Sequence, residues 1–288
     1  MLKDILKLCK VNHYIKNVII IIPLIFSKNL LTFNLYPKCL LMFLGFCFIS
    51  SAVYIMNDIV DIEKDKVHPA KCKRPIASGK INKNFGIFLC LFLIFLSIAC
   101  SIFINWLCVL MICLYFILNI FYSLYLKNIS LIDVACIATG FILRIVGGCF
   151  CINVLPSPLV ILMTFFVSMF FTFSKRKLEL ELIKEPQQCR KSIEKIDINS
   201  INQFILLNAV LSISFYITYV LDNSTMQRAG TEYLYLTAIP FTLIIFRLLL
   251  LVNTININDD PIYFLENDNT LKYLIILYFV VIFIVLYF

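Results

Sequence analysis

Long apolar runs separated by short polar segments dominate the sequence. An α-helix needs about 20 apolar residues to cross the hydrocarbon core of a bilayer. Runs of this kind cover residues 15–34, 38–56, 85–104, 106–122, 130–151, 157–174, 203–221, 232–252 and 271–288. The pattern predicts an all-α, polytopic membrane protein with about nine transmembrane helices. We expect a single helical domain over residues 1–288, with motif loops at 57–84 and 174–202.

The composition agrees with this pattern. Hydrophobic residues make up 61% of the chain, 27 residues are Phe, and the mean hydropathy is +0.95, whereas roughly half of a soluble domain is apolar. No room is left for a soluble domain. The first run lacks a small-residue cleavage site, so we interpret it as a retained helix rather than a signal peptide. The 12 cysteines are scattered, mostly within the spans, which favours buried thiols over zinc or structural disulfides.

The positive charges are distributed unevenly, and this distribution predicts the orientation. The net charge is +8. If the N-terminus is cytoplasmic, the outer segments contain only Lys28, Lys38 and Arg228, and most other cations lie on the inner side. This bias follows the positive-inside rule. We therefore expect a multi-pass protein of the plasma membrane with the N-terminus and both motif loops in the cytoplasm.

Acidic residues cluster directly after the second run. Asp58, Asp61 and Asp65 are three and four residues apart, so on one helix they share a face with Asn57. Like charges in this arrangement repel one another unless a cation lies between them, and Mg²⁺ prefers oxygen ligands of this type. The sequence therefore predicts a Mg²⁺ site formed by Asn57, Asp58, Asp61 and Asp65.

A basic loop follows the acidic cluster. His68-Pro69 and Arg74-Pro75 end the helix, because proline lacks an amide donor and restricts the residue before it. The loop then presents basic side chains suited to phosphate groups. A carboxylate cluster beside such a loop is suited to holding a magnesium diphosphate at a membrane surface. The candidate phosphate-binding residues are Lys71, Lys73 and Arg74.

Further polar residues interrupt the apolar runs, where charged groups are costly and often functional. Arg144 follows Asp133 by eleven residues in the fifth run. It is either a member of a buried ion pair or a ligand for a phosphate that enters the helix bundle. Lys16 and Asn17 interrupt the first run, where the lysine either snorkels to the interface or reaches a phosphate.

A third polar group closes the sixth run. Lys175 and Arg176 are followed by Glu179, which is one helical turn beyond Arg176. One interpretation is a basic anchor that binds anionic lipid headgroups. The alternative is that Arg176 and Glu179 face the same pocket as the acidic cluster.

Several of these motifs resemble the UbiA superfamily of intramembrane prenyltransferases. The first signature, Asn-Asp-x-x-Asp-x-x-x-Asp, is similar to residues 57–65. The string from His68 to Gly79 resembles the branch named for decaprenyl-phosphate phosphoribosyltransferase. Further similarities to this branch cover most of the chain and include Lys16, Asn17, Tyr122, Lys127, Asp133, Arg144, Lys175, Arg176 and Glu179.

The resemblance implies a UbiA-like helical bundle and a specific reaction. In that branch, phosphoribosyl diphosphate donates 5-phosphoribose to a polyprenyl phosphate, with Mg²⁺ as cofactor and diphosphate released. The implied substrate-binding residues are those named above together with Lys71, Lys73 and Arg74. The expected partners are the two substrates and the bilayer, and no nucleic acid.

The second motif departs from the wider superfamily. Typical aromatic prenyltransferases carry a second aspartate-rich motif, whereas this chain has Lys127 and a single Asp133 there. The difference argues against a prenyl diphosphate donor and favours a donor with a diphosphate and a separate phosphate. One alternative function is prenyl transfer from prenyl diphosphate to an aromatic or other acceptor. Another is a transporter with intramembrane charges along its path.

Overall fold

The computed structural model describes residues 1–67, 71–182, 196–254 and 267–288. Within these ranges the chain forms helices and turns and no β-strand. Eight helices are long and apolar enough to cross a membrane, and a bent pair, Leu2–Leu8 with Val11–Phe26, makes a ninth if it is counted as one span. The predicted all-α, polytopic architecture with about nine spans is confirmed.

The chain divides into two compact units, which we describe separately. Unit 1 contains Met1–Ile25, Asn29–Leu124 and Leu143–Leu155, and unit 2 contains Phe26–Lys28, Tyr125–Ile142 and Pro156–Phe288. The predicted single domain stays a prediction. In chain order the α-helices are α1 Leu2–Leu8, α2 Ile22–Phe26, α3 Tyr36–Val60, α4 Ile62–Val67, α5 Lys83–Ile102, α6 Trp106–Leu124, α7 Ile132–Cys151, α8 Pro158–Leu182, α9 Ile198–Leu221, α10 Asn223–Ala229, α11 Ala238–Thr254 and α12 Asn269–Tyr287. Short 3₁₀ helices cover Val11–Ile21, Phe33–Leu35, Lys71–Lys73, Leu126–Asn128 and Tyr233–Thr237.

Each unit has its own apolar core. In unit 1, α3 packs against α5 and α6, and Phe46 and Ile112 are almost fully buried. In unit 2, α8 packs along α9, and Phe170 and Ile205 lie in the core. The cores form because each helix has apolar residues on the side that faces its neighbours, whereas the remaining apolar side chains face outward, as expected in lipid.

The predicted first span, 15–34, is wrong as a single helix. The chain forms a 3₁₀ helix over Val11–Ile21 and α2 over Ile22–Phe26. In a 3₁₀ helix, side chains three residues apart are aligned, which places Tyr14, Asn17 and Ile20 on one face. The Tyr14 hydroxyl hydrogen-bonds the Ser51 hydroxyl at 2.8 Å, and Asn17 and Ile20 are buried. The 3₁₀ helix is favoured because it places all three of these side chains toward the protein interior.

The sixth predicted span is longer than expected. It was predicted to end at residue 174, where a motif loop was to begin, but α8 continues to Leu182. Ion pairs along the helix support the extra two turns: Arg176 Nη1 lies 2.7 Å from Glu179, and Lys177 Nζ lies 4.0 Å from Glu181. The part of the predicted loop at 183–195 lies outside the described residues, and α9 begins at Ile198.

Gly148 on α7 allows a close approach between two backbones in unit 1. A Cβ atom at this position would collide with the backbone carbonyl of Ile20 in the 3₁₀ helix. We expect Gly148→Ala to destabilise the protein by about 1–3 kcal/mol, because a backbone contact relaxes less easily than a side-chain contact. Gly45→Ala is the matched control, since its Cβ would meet its nearest atom at an ordinary 3.5 Å. Unfolding in mixed detergent micelles measures both, and equal stabilities would contradict the prediction.

Candidate active site

The acidic cluster lies at the junction of α3 and α4 in unit 1. α3 ends at Val60, and Asp61 adopts φ −93° and ψ 12° between the two helices. The prediction of one continuous helix is therefore corrected. The break is slight, because the N–H of Asp61 donates to the carbonyl of Asn57 (3.0 Å) and the N–H of Asp65 donates to that of Asp61 (2.8 Å). Helical hydrogen bonding thus continues, and Asp58 and Asp65 remain on the same side, two turns apart.

Arg74 connects the two buried carboxylates. Its Nη1 atom lies 3.0 Å from Asp58 Oδ1 and 2.7 Å from Asp65 Oδ2. Lys10 adds a second cation, with Nζ 3.6 Å from Asp58 Oδ1. The side chains of Asp58 and Asp65 are only 2% and 4% exposed, so their ionised forms require this compensation. The loop cation predicted to bind phosphate thus contacts the predicted metal ligands.

The other two predicted metal ligands have different neighbours. The Ser123 hydroxyl on α6 donates to Asn57 Oδ1, which fixes the orientation of this amide. Asp61 is half-buried, with its carboxylate 3.9 Å from Lys64 Nζ. Lys71 and Lys73 are exposed on their 3₁₀ helix. His68 and Pro69 lie outside the described residues.

The side chains of this cluster suit a magnesium ion. Among the described residues, no three His, Cys, Asp or Glu side chains converge as a ready-made metal site. However, Mg²⁺ usually binds through one or two carboxylates together with water and substrate phosphates. Asp58 and Asp65, which both reach the same guanidinium nitrogen, provide this pair, and the oriented amide oxygen of Asn57 is a further hard donor.

Arg144 forms a second polar group in the interior of unit 1. Its Nε donates to Asn17 Oδ1 at 2.7 Å, and its Nη2 donates to the Tyr115 hydroxyl at 2.9 Å. The guanidinium also lies over the Tyr115 ring, 4.7 Å from its centroid, an arrangement that stabilises a cation. The structure thus joins two predicted substrate-binding residues, Arg144 and Asn17, through a direct hydrogen bond.

Asp133, Arg176 and Glu179 form the corresponding polar group of unit 2. Arg176 Nη2 lies 3.1 Å from Asp133 Oδ2, and Nη1 lies 2.7 Å from Glu179 Oε2. The side chains of Asp133 and Arg176 are each 3% exposed. Arg176 and Glu179, one helical turn apart, form an ion pair, and Arg176 also neutralises the single aspartate of the second motif. That the two side chains face the same pocket as the acidic cluster stays a prediction.

The remaining predicted residues are half-buried. Lys127 belongs to the 3₁₀ helix Leu126–Asn128 of unit 2, and Tyr122 lies near the end of α6 in unit 1. Lys16 and Lys175 follow the same trend, since all four side chains are half-buried. Their assignment as substrate-binding residues stays a prediction.

Asp268 begins the last helix of unit 2. Its carboxylate accepts from the N–H of Leu271 and from Arg247 Nη2 at 2.6 Å. The hydrogen bonds from Arg247 hold the pKa of Asp268 below its usual value, because they favour the ionised form. Asp268 is therefore the N-cap of α12. Its negative charge pairs with Arg247 on α11.

Sequence reasoning missed three contributors to these groups. None of the sequence-based site predictions includes Lys10, Ser123 or Tyr115. Lys10 lies 48 residues before Asp58 in the sequence, so no local spacing connects the two. For Ser123, the sequence offered one indication of a role in the site, which is its position next to Tyr122 in the second motif.

Comparison with known proteins identifies the family of this chain. The chain matches the model of the UbiA prenyltransferase family over residues 19–266, a range that includes all four predicted metal ligands. The chain belongs to the UbiA prenyltransferase family. The predicted membership of the UbiA superfamily is confirmed.

Two curated relatives of this UbiA family chain show how far the similarity extends. It is 30% identical over 275 residues, or 93% of its length, to the uncharacterized protein y4nM of Sinorhizobium fredii, of which it spans 53%. It is also 30% identical over 210 residues, or 71% of its length, to decaprenyl-phosphate phosphoribosyltransferase of Corynebacterium glutamicum, of which it spans 63%. The chain thus spans between about half and two thirds of these relatives.

A solved structure supports the UbiA fold. A UbiA homolog from Archaeoglobus fulgidus bound to GPP and Mg²⁺ superposes with a TM-score of 0.70 at 16% identity, covering 97% of this chain and 99% of the homolog. At this level of identity the similarity concerns the fold. The predicted UbiA-like helical bundle is confirmed.

Proposed function

We propose that this UbiA family member is a Mg²⁺-dependent phosphoribosyltransferase. It transfers 5-phosphoribose from phosphoribosyl diphosphate to a polyprenyl phosphate and releases diphosphate. The name of the Corynebacterium glutamicum relative supports this reaction. We further propose that the enzyme lies in the plasma membrane with its N-terminus and motif segments in the cytoplasm, as the distribution of its cations suggests.

The difference between the two acidic groups carries the proposal. In unit 1, Asp58 and Asp65 form a buried carboxylate pair. In unit 2, the second motif contributes the single Asp133, whose charge is offset by Arg176. A prenyl diphosphate held by two carboxylate motifs requires acidic residues in both places. A donor with a diphosphate and a separate 5-phosphate needs only one carboxylate group, for its metal-bound diphosphate, and we propose that cations meet the second phosphate.

The chain's own residues would hold the substrates as follows. Asp58, Asp65 and the amide of Asn57, with Asp61 nearby in sequence, would ligate the ion, which neutralises charge developing on the departing diphosphate. Arg74 and the exposed lysines of its loop, Lys71 and Lys73, would bind the donor's phosphate oxygens. The proposed binding residues for the second phosphate or the acceptor head are Lys16, Asn17, Tyr122, Lys127, Arg144, Lys175 and Arg176.

The transfer itself requires no general base from the protein. The acceptor phosphate is already anionic near neutral pH, so its oxygen attacks the anomeric carbon directly. A new bond forms between this oxygen and C1 of the ribose, and the bond from C1 to the diphosphate oxygen breaks. The protein contributes alignment of the two substrates and fixed charges around the reacting carbon.

A donor-choice assay tests this function. Purified protein in liposomes is supplied with polyprenyl phosphate, Mg²⁺ and labelled phosphoribosyl diphosphate, and in parallel with labelled prenyl diphosphate and an aromatic acceptor. We expect label in the lipid product only from the phosphoribosyl donor and its loss when EDTA removes the metal. Lys66→Gln, an exposed residue paired with Glu63, should retain full activity. Prenyl transfer without phosphoribosyl transfer would refute the proposal.

A further inference from the structure

The carboxylates of unit 1 are covered by the cations that neutralise them. The side chains of Asp58 and Asp65 are 2% and 4% exposed, whereas those of Lys10 and Arg74 are 24% and 28% exposed. The cations therefore form the outer layer of the cluster and the carboxylates the inner layer. A ligand that approaches from the surface meets Lys10 and Arg74 first.

The charges of this cluster balance one another in the absence of a bound ligand. Two carboxylates oppose one lysine and one arginine, so the formal charges of these four groups cancel. A divalent cation arriving alone is repelled by Lys10 and Arg74, and a diphosphate arriving alone is repelled by Asp58 and Asp65. When both arrive together, the cation satisfies the carboxylates and the phosphate oxygens satisfy the two displaced side chains.

Lys10 has features suited to such an exchange. It lies at the break between α1 and the 3₁₀ helix, in the left-handed conformation with φ 49° and ψ 48°, which non-glycine residues adopt at an energetic cost. Its ammonium lies 4.5 Å from the centre of the Tyr54 ring, a contact that holds a cation without neutralising it. A lysine has a flexible stem and a compact charge, which allows its ammonium to change partners while the backbone stays in place.

We propose that Lys10 and Arg74 are exchangeable counter-ions that couple metal binding to donor binding. On this view both side chains leave Asp58 and Asp65 for the donor's phosphate oxygens when Mg²⁺ binds the carboxylates. The inference rests on the proposed function, and it adds Lys10 as a donor-binding residue. Because such coupling is reciprocal, metal must raise donor affinity by the same factor by which donor raises metal affinity.

Metal-binding measurements test the exchange without turnover. The affinity of the detergent-solubilised protein for Mn²⁺, used as a probe for Mg²⁺, is measured by electron paramagnetic resonance alone and with phosphoribosyl diphosphate, prenyl diphosphate or inorganic diphosphate. For the wild-type protein we expect the donor to raise metal affinity by about 10-fold or more, within the usual range of coupling. Arg74→Gln should bind metal alone more tightly than the wild type, by about 10-fold, and should lose most of the coupling.

Lys10→Gln serves as an independent second variant. Its effect should have the same direction and be smaller, because its contact with Asp58 is 3.6 Å rather than 3.0 Å. Lys66→Gln, which removes an exposed lysine paired with Glu63, should leave both metal affinity and coupling unchanged. Size-exclusion chromatography confirms that each variant is folded.

The outcomes separate this inference from the proposed function. If Arg74→Gln and Lys10→Gln both bind metal alone no more tightly than the wild type, the exchange is refuted. Equal wild-type metal affinity with and without every diphosphate tested would also refute it. If prenyl diphosphate or inorganic diphosphate raises metal affinity and phosphoribosyl diphosphate does not, the exchange is supported and the proposed donor is overturned.

Discussion

We expect Asp65→Asn to lower the rate of phosphoribosyl transfer by about 10³-fold. The substitution keeps the size of the side chain but removes one of the two buried negative charges proposed to ligate the ion. Stabilisation of a departing diphosphate by a bound metal is worth several kcal/mol, and each 1.36 kcal/mol corresponds to about tenfold in rate. The 3.0 Å contact between Arg74 and Asp58 does not involve Asp65, so we expect the local structure to persist in the variant.

Initial rates across a Mg²⁺ titration measure this effect. Glu63→Gln is the matched control on the same helix, since the Glu63 side chain is 84% exposed and pairs with Lys66 at the surface. This control should retain full activity. An Asp65→Asn enzyme with wild-type rates and wild-type metal dependence would show that the buried carboxylate pair is not the metal site.

The sequence predicted the acidic cluster well because its members are close along the chain. Spacings of three and four residues define a helix face regardless of tertiary structure, and Asp58 and Asp65 do lie on one side of the junction. Two features were not predictable in this way. The slight break at Asp61 depends on one residue's backbone angles. Lys10 reaches the cluster only through the packing of the N-terminal segment on α3.

The N-terminal segment shows where hydropathy alone is insufficient. A window of apolar residues predicts a span but does not distinguish an α-helix from a 3₁₀ helix. Here the hydrogen bond from Arg144 to Asn17 and the close approach of Gly148 to Ile20 specify the local geometry. Both partners lie more than 120 residues later in the sequence. By contrast, the apolar spans from α3 onward were predicted to within a few residues, except at the charged end of α8.

The largest stability effect should come from Arg176 in unit 2. We expect Arg176→Met to destabilise the protein by about 3–5 kcal/mol, because it leaves the buried Asp133 carboxylate without the guanidinium 3.1 Å away. Arg247→Met is the matched control. Its pair with Asp268 is also short, at 2.6 Å, but the side chains are 32% and 15% exposed, so we expect a loss of about 0–1 kcal/mol. Reversible unfolding in mixed detergent micelles measures both, and equal losses would contradict the prediction.

The double variant Asp133→Asn with Arg176→Met separates the structural role of Arg176 from its proposed role in binding. With the buried carboxylate gone, only the partly exposed carboxylate of Glu179 still lacks its guanidinium partner, so most of the stability lost in Arg176→Met should return. If Arg176 also binds a substrate phosphate, the KM for the donor or the acceptor must stay raised in this stable variant, because methionine cannot bind an anion. Recovery of both stability and KM would make the pair of Asp133 and Arg176 purely structural, and Lys127 and Lys175 would remain the proposed phosphate-binding cations of unit 2.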